Sequence, residues 1–370
     1  MDSCQLIVFT LIAFDNIKKN KILNTNNQQP TTHNQKKGIL LVNLGSPKST
    51  KVEDVKEYLD EFLMDERVID YRWFFRALLV KGIILKTRPK KSAAAYKTVW
   101  TEEGSPLVVI TKQIQQKLQK LVDIPVEIGM RYAEPSIETG IRNLVEKGVE
   151  EIVLFPLYPQ YAMSTTETVI EKAKEVQAKL FPNVKINYVK PFYNKEIYIN
   201  CLAESIKEKL PENFDLLQFS YHGVPERHIY KTDPTKTCKI GDCCFKEDHP
   251  SHQYCYRHQC LKTTELVKQK LGLEDSQVKS TFQSRLGNDK WIEPYTDETL
   301  ENLPKNGVKN LAIVCPAFVS DCLETLEEIS VEGKEEFLLA GGEKFNYIPC
   351  LNDEDRWIEV VKQLCEEELA

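Results

Sequence analysis

The side chains best suited to proton and metal chemistry lie in two short stretches. In Gln218-Phe219-Ser220-Tyr221-His222-Gly223-Val224-Pro225, an apolar run over 216–219 leads into a histidine followed by glycine and proline. That pattern reads as a strand whose carboxyl end turns sharply and presents an imidazole. Ligands in open α/β sheets bind outside the carboxyl ends of strands, and an imidazole there titrates near neutral pH or ligates a metal. In Cys315-Pro316-Ala317-Phe318-Val319-Ser320-Asp321-Cys322-Leu323-Glu324-Thr325-Leu326-Glu327-Glu328-Ile329, a second apolar run over 311–314 is followed by Asp321, Glu324 and Glu328. Their spacing, i, i+3 and i+7, puts all three carboxylates on one face of a helix. Alone, each stretch has a plain structural reading: a turn histidine, and a solvated acidic face near a helix N-terminus. Together they define a cleft that can take up protons, bind a divalent cation, or both.

An internal repeat supplies the elements that position these groups. Glu134-Pro135 and the residues through Phe155 align without gaps on Glu293-Pro294 and the residues through Val314, at an offset of 159. Both copies read as helix, glycine stop, apolar strand. Strands are expected at 39–44, 126–130, 152–158 and 186–189, then at 216–221, 279–283, 311–314 and 347–351. Helical stretches separate most of them, as parallel sheets require. The fold class is therefore α/β, with two similar Rossmann-like domains, each a central parallel sheet flanked by helices. The expected organisation is a disordered extension over 1–37, a first α/β domain over 38–195, a second over 196–352 and a C-terminal helix over 353–370. The apolar run 6–14 is too short to span a bilayer and lacks the flanks of an export signal. An over-long start accounts for the whole extension.

The chain has 370 residues, a net charge of −6 and eleven cysteines. The negative charge argues against a general nucleic-acid binder. Cysteines without a regular framework point to a reducing, cytoplasmic compartment. Nothing in the pattern sets an oligomeric state.

Two further segments carry chemistry. Tyr71-Arg72-Trp73-Phe74-Phe75-Arg76-Ala77-Leu78-Leu79-Val80-Lys81-Gly82-Ile83-Ile84-Leu85 is apolar nearly all round. It reads either as a buried helix or as a lip over a flat apolar ligand that also touches a membrane surface. Arg72, Arg76, Lys81, Lys86 and Arg88 suit the second reading. Between Cys238 and Cys260 lie Cys243, Cys244 and Cys255, with three histidines among them. The spacing lacks paired C-x2-C knuckles, so a zinc ribbon fits poorly. All-thiolate ligation suits a [2Fe–2S] cluster held by Cys238, Cys243, Cys255 and Cys260, with Cys244 able to replace Cys243. The alternatives are a zinc site with a histidine ligand, or an insertion with incidental thiols.

Both chemical stretches, with Gly38-Ile39-Leu40-Leu41-Val42-Asn43-Leu44-Gly45-Ser46-Pro47, Gly129-Met130-Arg131-Tyr132 and Thr281-Phe282-Gln283-Ser284-Arg285, resemble the ferrochelatases, from about residue 38 to near the C-terminus. The resemblance implies insertion of Fe(II), as substrate, into protoporphyrin IX with release of two protons. It implies that His222 and Glu324 work on opposite sides of the porphyrin plane, with Asp321 and Glu328 as candidate relays. It places Leu44 near the metal and assigns Arg88, Tyr96, Ser105, Arg131 and Tyr132 to substrate binding. Many members carry a second histidine where this chain has Cys322, and some bacterial members carry an iron–sulfur cluster after the histidine motif. The expected partners are the porphyrin, ferrous iron and the surface of the inner membrane. The alternatives are a chelatase for another tetrapyrrole or metal, such as coproporphyrin or cobalt, and a non-catalytic haem or metal carrier.

Overall fold

Eight strands form two parallel sheets. In the first, β1 (Lys37–Asn43), β2 (Val126–Met130), β3 (Glu151–Pro156) and β4 (Lys185–Tyr188) take the order β2-β1-β3-β4. In the second, β5 (Leu216–His222), β6 (Val278–Gln283), β7 (Asn310–Val314) and β8 (Lys344–Ile348) take the equivalent order β6-β5-β7-β8. This computed structural model describes residues 36–285, 287 and 289–370. The expected extension lies outside them except for Lys36 and Lys37, and Lys37 already belongs to β1. Parallel strands need covered faces, and β1, β3, β5 and β7 are buried almost throughout. The two-sheet α/β architecture read from the sequence is the one observed, and both sheets lie within one compact unit, Gln35–Ala370.

The repeat extends to individual hydrogen bonds. Met130 N–H donates to Pro135 O at 2.6 Å, and Phe282 N–H to Pro294 O at 2.8 Å. Each Glu-Pro turn thus closes on the end of its preceding strand. β8 starts three residues before the expected run, because Ile348, paired with Val314, is its last residue and 349–351 turn out of the sheet.

The apolar lip is a helix (Trp73–Leu79), a π-turn (Val80–Ile84) and a second helix (Leu85–Val99). Val80 and Leu85 anchor it in the core, while Trp73, Phe74, Phe75, Leu78 and Ile83 are each 58–67% exposed. The buried-helix alternative is therefore wrong. Arg76 is also not a free flanking cation. It is buried, and its Nη1 donates to Ile69 O (3.2 Å) and Tyr71 O (2.9 Å).

The C-terminal helix, Asp355–Leu369, packs on the helix Pro106–Gln119, on β3 and on the helix Glu196–Lys209. Its Trp357 is fully buried among Phe155, Phe192 and Tyr198, with ring centroids 5.8–6.5 Å apart. Truncating such a residue removes its transfer energy and leaves a cavity. Trp357→Ala should cost about 3–5 kcal/mol. A urea midpoint unchanged from wild type would show that the helix is dispensable to the core.

Candidate active site

His222 is the last residue of β5 and is half-buried. Its Nδ1 lies 2.8 Å from Gly223 O, and its ring meets Phe318 edge-on with centroids 6.3 Å apart. Gly223 is required there: a Cβ would stand 2.7 Å from Gln283 O, to which the Gly223 N–H donates at 2.8 Å. The strand end is thus pinned to β6, where His222 pairs with Gln283 in register.

Gln283 was not singled out by the sequence, yet it organises the acidic turn. It is buried, its Oε1 accepts from Ser220 Oγ (2.8 Å), and its Nε2 donates to Glu324 O (2.8 Å) and Glu328 Oε2 (3.3 Å). The Ser284 hydroxyl donates to the same Glu328 oxygen. The turn itself is a short helix (Leu323–Leu326) continued by a π-turn (Glu328–Gly333), a geometry frequent at functional sites. Burial pushes the Glu328 carboxyl above the usual carboxylate range and the Glu324 charge adds to this; the Ser284 hydroxyl and His222 offset it only in part. Glu328 therefore feels both members of the expected pair. Beyond it, a cavity of about 270 Å³ is lined by Glu328, Glu332, Glu336, Asp297 and Arg285. Glu336 is exposed, and partial desolvation, reinforced by Asp297 and Glu332, raises it as well.

Asp321 is not on that face. The helix begins only at Leu323, with Cys322 as its N-cap. Asp321 is buried before the cap, and its carboxylate accepts from Thr325 Oγ1 (2.9 Å), Asn352 Nδ2 (2.7 Å) and the Tyr347 hydroxyl. Its oxygens hold the turn to the end of β8.

Glu324 faces the lip side, where its charge helps raise Tyr58, Tyr96 and Tyr158, all buried. Leu44, Tyr96 and Tyr132 belong to one apolar cluster with Tyr58 and Leu323. Arg88 is exposed on the lip helix, and Ser105 is buried at the N-cap of the helix Pro106–Gln119. Arg131 is committed elsewhere. Its guanidinium pairs with Asp65, lies 4.3 Å from the Tyr132 ring and bonds Thr168 Oγ1 at 2.6 Å. The Tyr132 hydroxyl also donates to Asp65 (2.9 Å). Burial alone would raise Asp65, but the bonds from Thr168, Arg67 N–H, Arg131 and Tyr132 outweigh it and hold it below the usual range.

The cysteines converge, though not as the spacing implied. Cys238 Sγ lies 3.9 Å from Cys243 Sγ, and the thiols of Cys238 and Cys244 are both in electrostatic range of the Cys255 thiol. Cys260 stands apart, fully buried beside the Tyr256 hydroxyl. Cys244, not Cys260, completes the group of four. Backbone N–H groups of Lys239 and His258 reach the Cys243 (3.3 Å) and Cys255 (3.5 Å) sulfurs. His252 and His258 stack with centroids 3.4 Å apart and donate to Cys243 O (2.8 Å) and Cys244 O (2.9 Å). The Cys255 thiol and the Arg257 guanidinium pull the Cys244 thiol below its ordinary value, while Nε and Nη1 of Arg257 are buried without a hydrogen-bond partner. A half-buried guanidinium with two orphaned nitrogens beside Cys244 fits an anionic, thiolate-bound group. Among the described residues, no three His, Cys, Asp or Glu side chains are set to hold one metal ion.

Two parallel sheets carry an imidazole at one strand end and a carboxylate turn after another, an α/β architecture shared with solved chelatases. Similar solved structures include "SirB from Bacillus subtilis with Fe3+", with a TM-score of 0.51 and 15% identity, covering 89% of this chain and 96% of that one. The sirohydrochlorin chelatase SirB from Bacillus subtilis subspecies spizizenii, in complex with cobalt, has a TM-score of 0.50 and 13% identity, covering 90% and 95%. The ferrochelatase family model matches residues 36–369. The ferrochelatase of Pseudomonas fluorescens (strain Pf0-1) is 50% identical over 331 residues, covering 89% of this chain and 97% of its own length. That of Ectopseudomonas mendocina (strain ymp) is 48% identical over 330, with the same coverage. The chain belongs to the ferrochelatase family. It is a porphyrin metal chelatase, a lyase that inserts iron into porphyrin in haem biosynthesis.

The raised Glu328 has a measurable consequence. Folding takes up a proton between the ordinary carboxylate pKa and the raised one. The stability associated with protonated Glu328 is therefore full below that window and lost as pH rises through it. Glu328→Gln removes the penalty. Its melting temperature relative to wild type should climb as pH rises above the ordinary carboxylate pKa. A difference that is flat or falls over that range would contradict the burial argument.

Proposed function

We propose that the substrate is protoporphyrin IX, that His222 takes up a pyrrole proton as Fe(II) enters, and that Glu324 works from the other side of the ring. A planar macrocycle shields its nitrogens, so a cleft complementary to a puckered ring favours the transition state. Glu328 and the acidic cavity behind it carry protons away. The observation that supports this reading best is Glu328, half-buried, held by Gln283 and Ser284, raised, and in electrostatic range of both His222 and Glu324. Asp321, saturated by Thr325, Tyr347 and Asn352, is read as a positioning residue rather than a relay. Arg131 and Arg76 are engaged by Asp65 and by backbone carbonyls, which supports a substrate with fewer carboxylates than coproporphyrin. Leu44, Tyr96 and Tyr132 form the apolar wall, with Ser105 behind it and Arg88 at the rim. His222→Ala should lower Fe(II) insertion by far more than tenfold, over ~1.4 kcal/mol of barrier. Porphyrin binding, followed by fluorescence, should survive. Activity within about tenfold of wild type would remove His222 from this role.

Exposed Trp73, Phe74, Phe75, Leu78 and Ile83, with Arg72 and Lys86 nearby, support a lip resting on the inner face of a membrane, the rest of the chain lying in the cytoplasm. No helix among the described residues is long and apolar enough to cross one. The division at 195/196 between two α/β domains belongs to the same reading.

Cys238, Cys243, Cys244 and Cys255 are the residues that would hold a [2Fe–2S] cluster, which binds four thiolates. When bound it would supply a redox-active cross-link, although porphyrin metallation itself needs no electron transfer. Anaerobically purified protein should contain iron and inorganic sulfide at one cluster per chain. Cys238→Ser and Cys244→Ser should lose it and melt earlier, while Cys260→Ser should keep its iron. Stoichiometric zinc without sulfide would replace the cluster by a zinc site.

A further inference from the structure

The first turn of the helix Tyr256–Leu271 reaches two sites at once. Cys255, its N-cap, turns its thiol toward Cys238 and Cys244. The next residue, Tyr256, is buried, and its hydroxyl donates to the backbone carbonyl of His222 at 2.8 Å. Cys260, one turn further along, lies against that hydroxyl. Arg257 follows, with its guanidinium beside Cys244 and its Nη2 donating to Glu293 O at 3.3 Å. Pro294, next in sequence, accepts from Phe282 N–H, one residue before Gln283.

These contacts converge on one peptide plane. The His222 carbonyl and the Gly223 N–H belong to the same rigid unit. That unit is held from one side by Tyr256 and from the other by Gln283 O, which accepts the Gly223 N–H. The imidazole Nδ1 is in turn set against Gly223 O. Losing the Tyr256 bond leaves the plane held by the Gly223 N–H alone, and with it the setting of the ring.

We propose that Tyr256 is a positioning residue for His222, and that the helix start makes His222 placement depend on what the four-thiol pocket holds. The proposal rests on His222 as proton acceptor and on the thiol pocket as a cluster site. The link is one helical turn long, so displacement of Cys255 is transmitted directly.

Tyr256→Phe keeps the ring and removes only the hydroxyl. It should lower kcat about tenfold, the effect of one lost positioning hydrogen bond, with porphyrin KM within about twofold and iron and sulfide content unchanged. Amide hydrogen exchange of a peptic fragment spanning 220–226 supplies a second readout. In wild type, stripping the pocket with an anaerobic chelator should speed exchange there. In Tyr256→Phe the fast exchange should be present with the pocket loaded, and stripping should add little. Wild-type kcat in Tyr256→Phe, or exchange at 220–226 that ignores the state of the pocket, would overturn the proposal. If the protein purifies without iron and sulfide, the cluster reading fails, and the Tyr256→Phe arm alone decides the positioning claim. If His222→Ala stays active, the proton-acceptor reading fails, while the exchange arm still tests the link.

Discussion

One buried amide holds the centre of this protein together. Gln283 sits at the end of β6, directly beside His222, where solvent cannot satisfy its side chain. Ser220 donates to its oxygen, and its nitrogen serves the Glu324 carbonyl and the Glu328 carboxylate. Leaving a buried group of this kind unpaired costs about 1–3 kcal/mol. The acidic turn therefore has one arrangement against the strand ends that satisfies the amide. The imidazole and the carboxylates are held in a common frame although they lie far apart in sequence. The raised Glu328 follows from the same arrangement, since the turn that meets Gln283 also draws Glu328 partly out of water.

Around this frame the chain divides its apolar surface into two parts. The faces of both sheets are covered, whereas the lip keeps several of its largest side chains exposed. An exposed patch of that kind is retained for contact with a ligand or surface. The lip is held at its edge by Asp70, which receives Arg227 Nε at 2.7 Å and lies 3.2 Å from His228 Nε2. Burial pushes the His228 pKa down, which works against turning this second contact into an ion pair. Asp70 would itself be raised by burial, but the Arg227 and His228 contacts outweigh that and hold it low.

Much of this was legible in the sequence because it depends on local pattern. Apolar runs bounded by glycine and proline gave the strands, and the gapless repeat gave the two sheets. The His-Gly step marked a turn that only glycine can make so close to Gln283 O. What the sequence hid depends on partners distant along the chain or on where a helix starts. Gln283 and Ser284 are ordinary polar residues until Glu328, more than forty positions on, folds against them. The i, i+3, i+7 spacing puts Asp321 on the acidic face only if the helix runs through it, whereas the cap formed by Cys322 and Thr325 delays the start to Leu323. Cys260 was grouped with the other thiols by spacing. Five residues of α-helix rotate it by about 140° from Cys255, toward Tyr256 and away from the pocket. Arg131 fits a carboxylate-bearing substrate equally well on paper, until Asp65 is found beside it.

The central claim is that the carboxylate turn takes part in insertion and that Glu324 and Glu328 have different tasks within it. It is tested most directly by single-turnover Fe(II) insertion into protoporphyrin with Glu324→Gln and Glu328→Gln, with porphyrin binding measured in parallel. Glu324→Gln should remove most of the insertion rate, Glu328→Gln should slow it less, and both should bind porphyrin as wild type does. Equal and small effects of the two changes would contradict the account and leave the turn as an acidic surface held in place by Gln283.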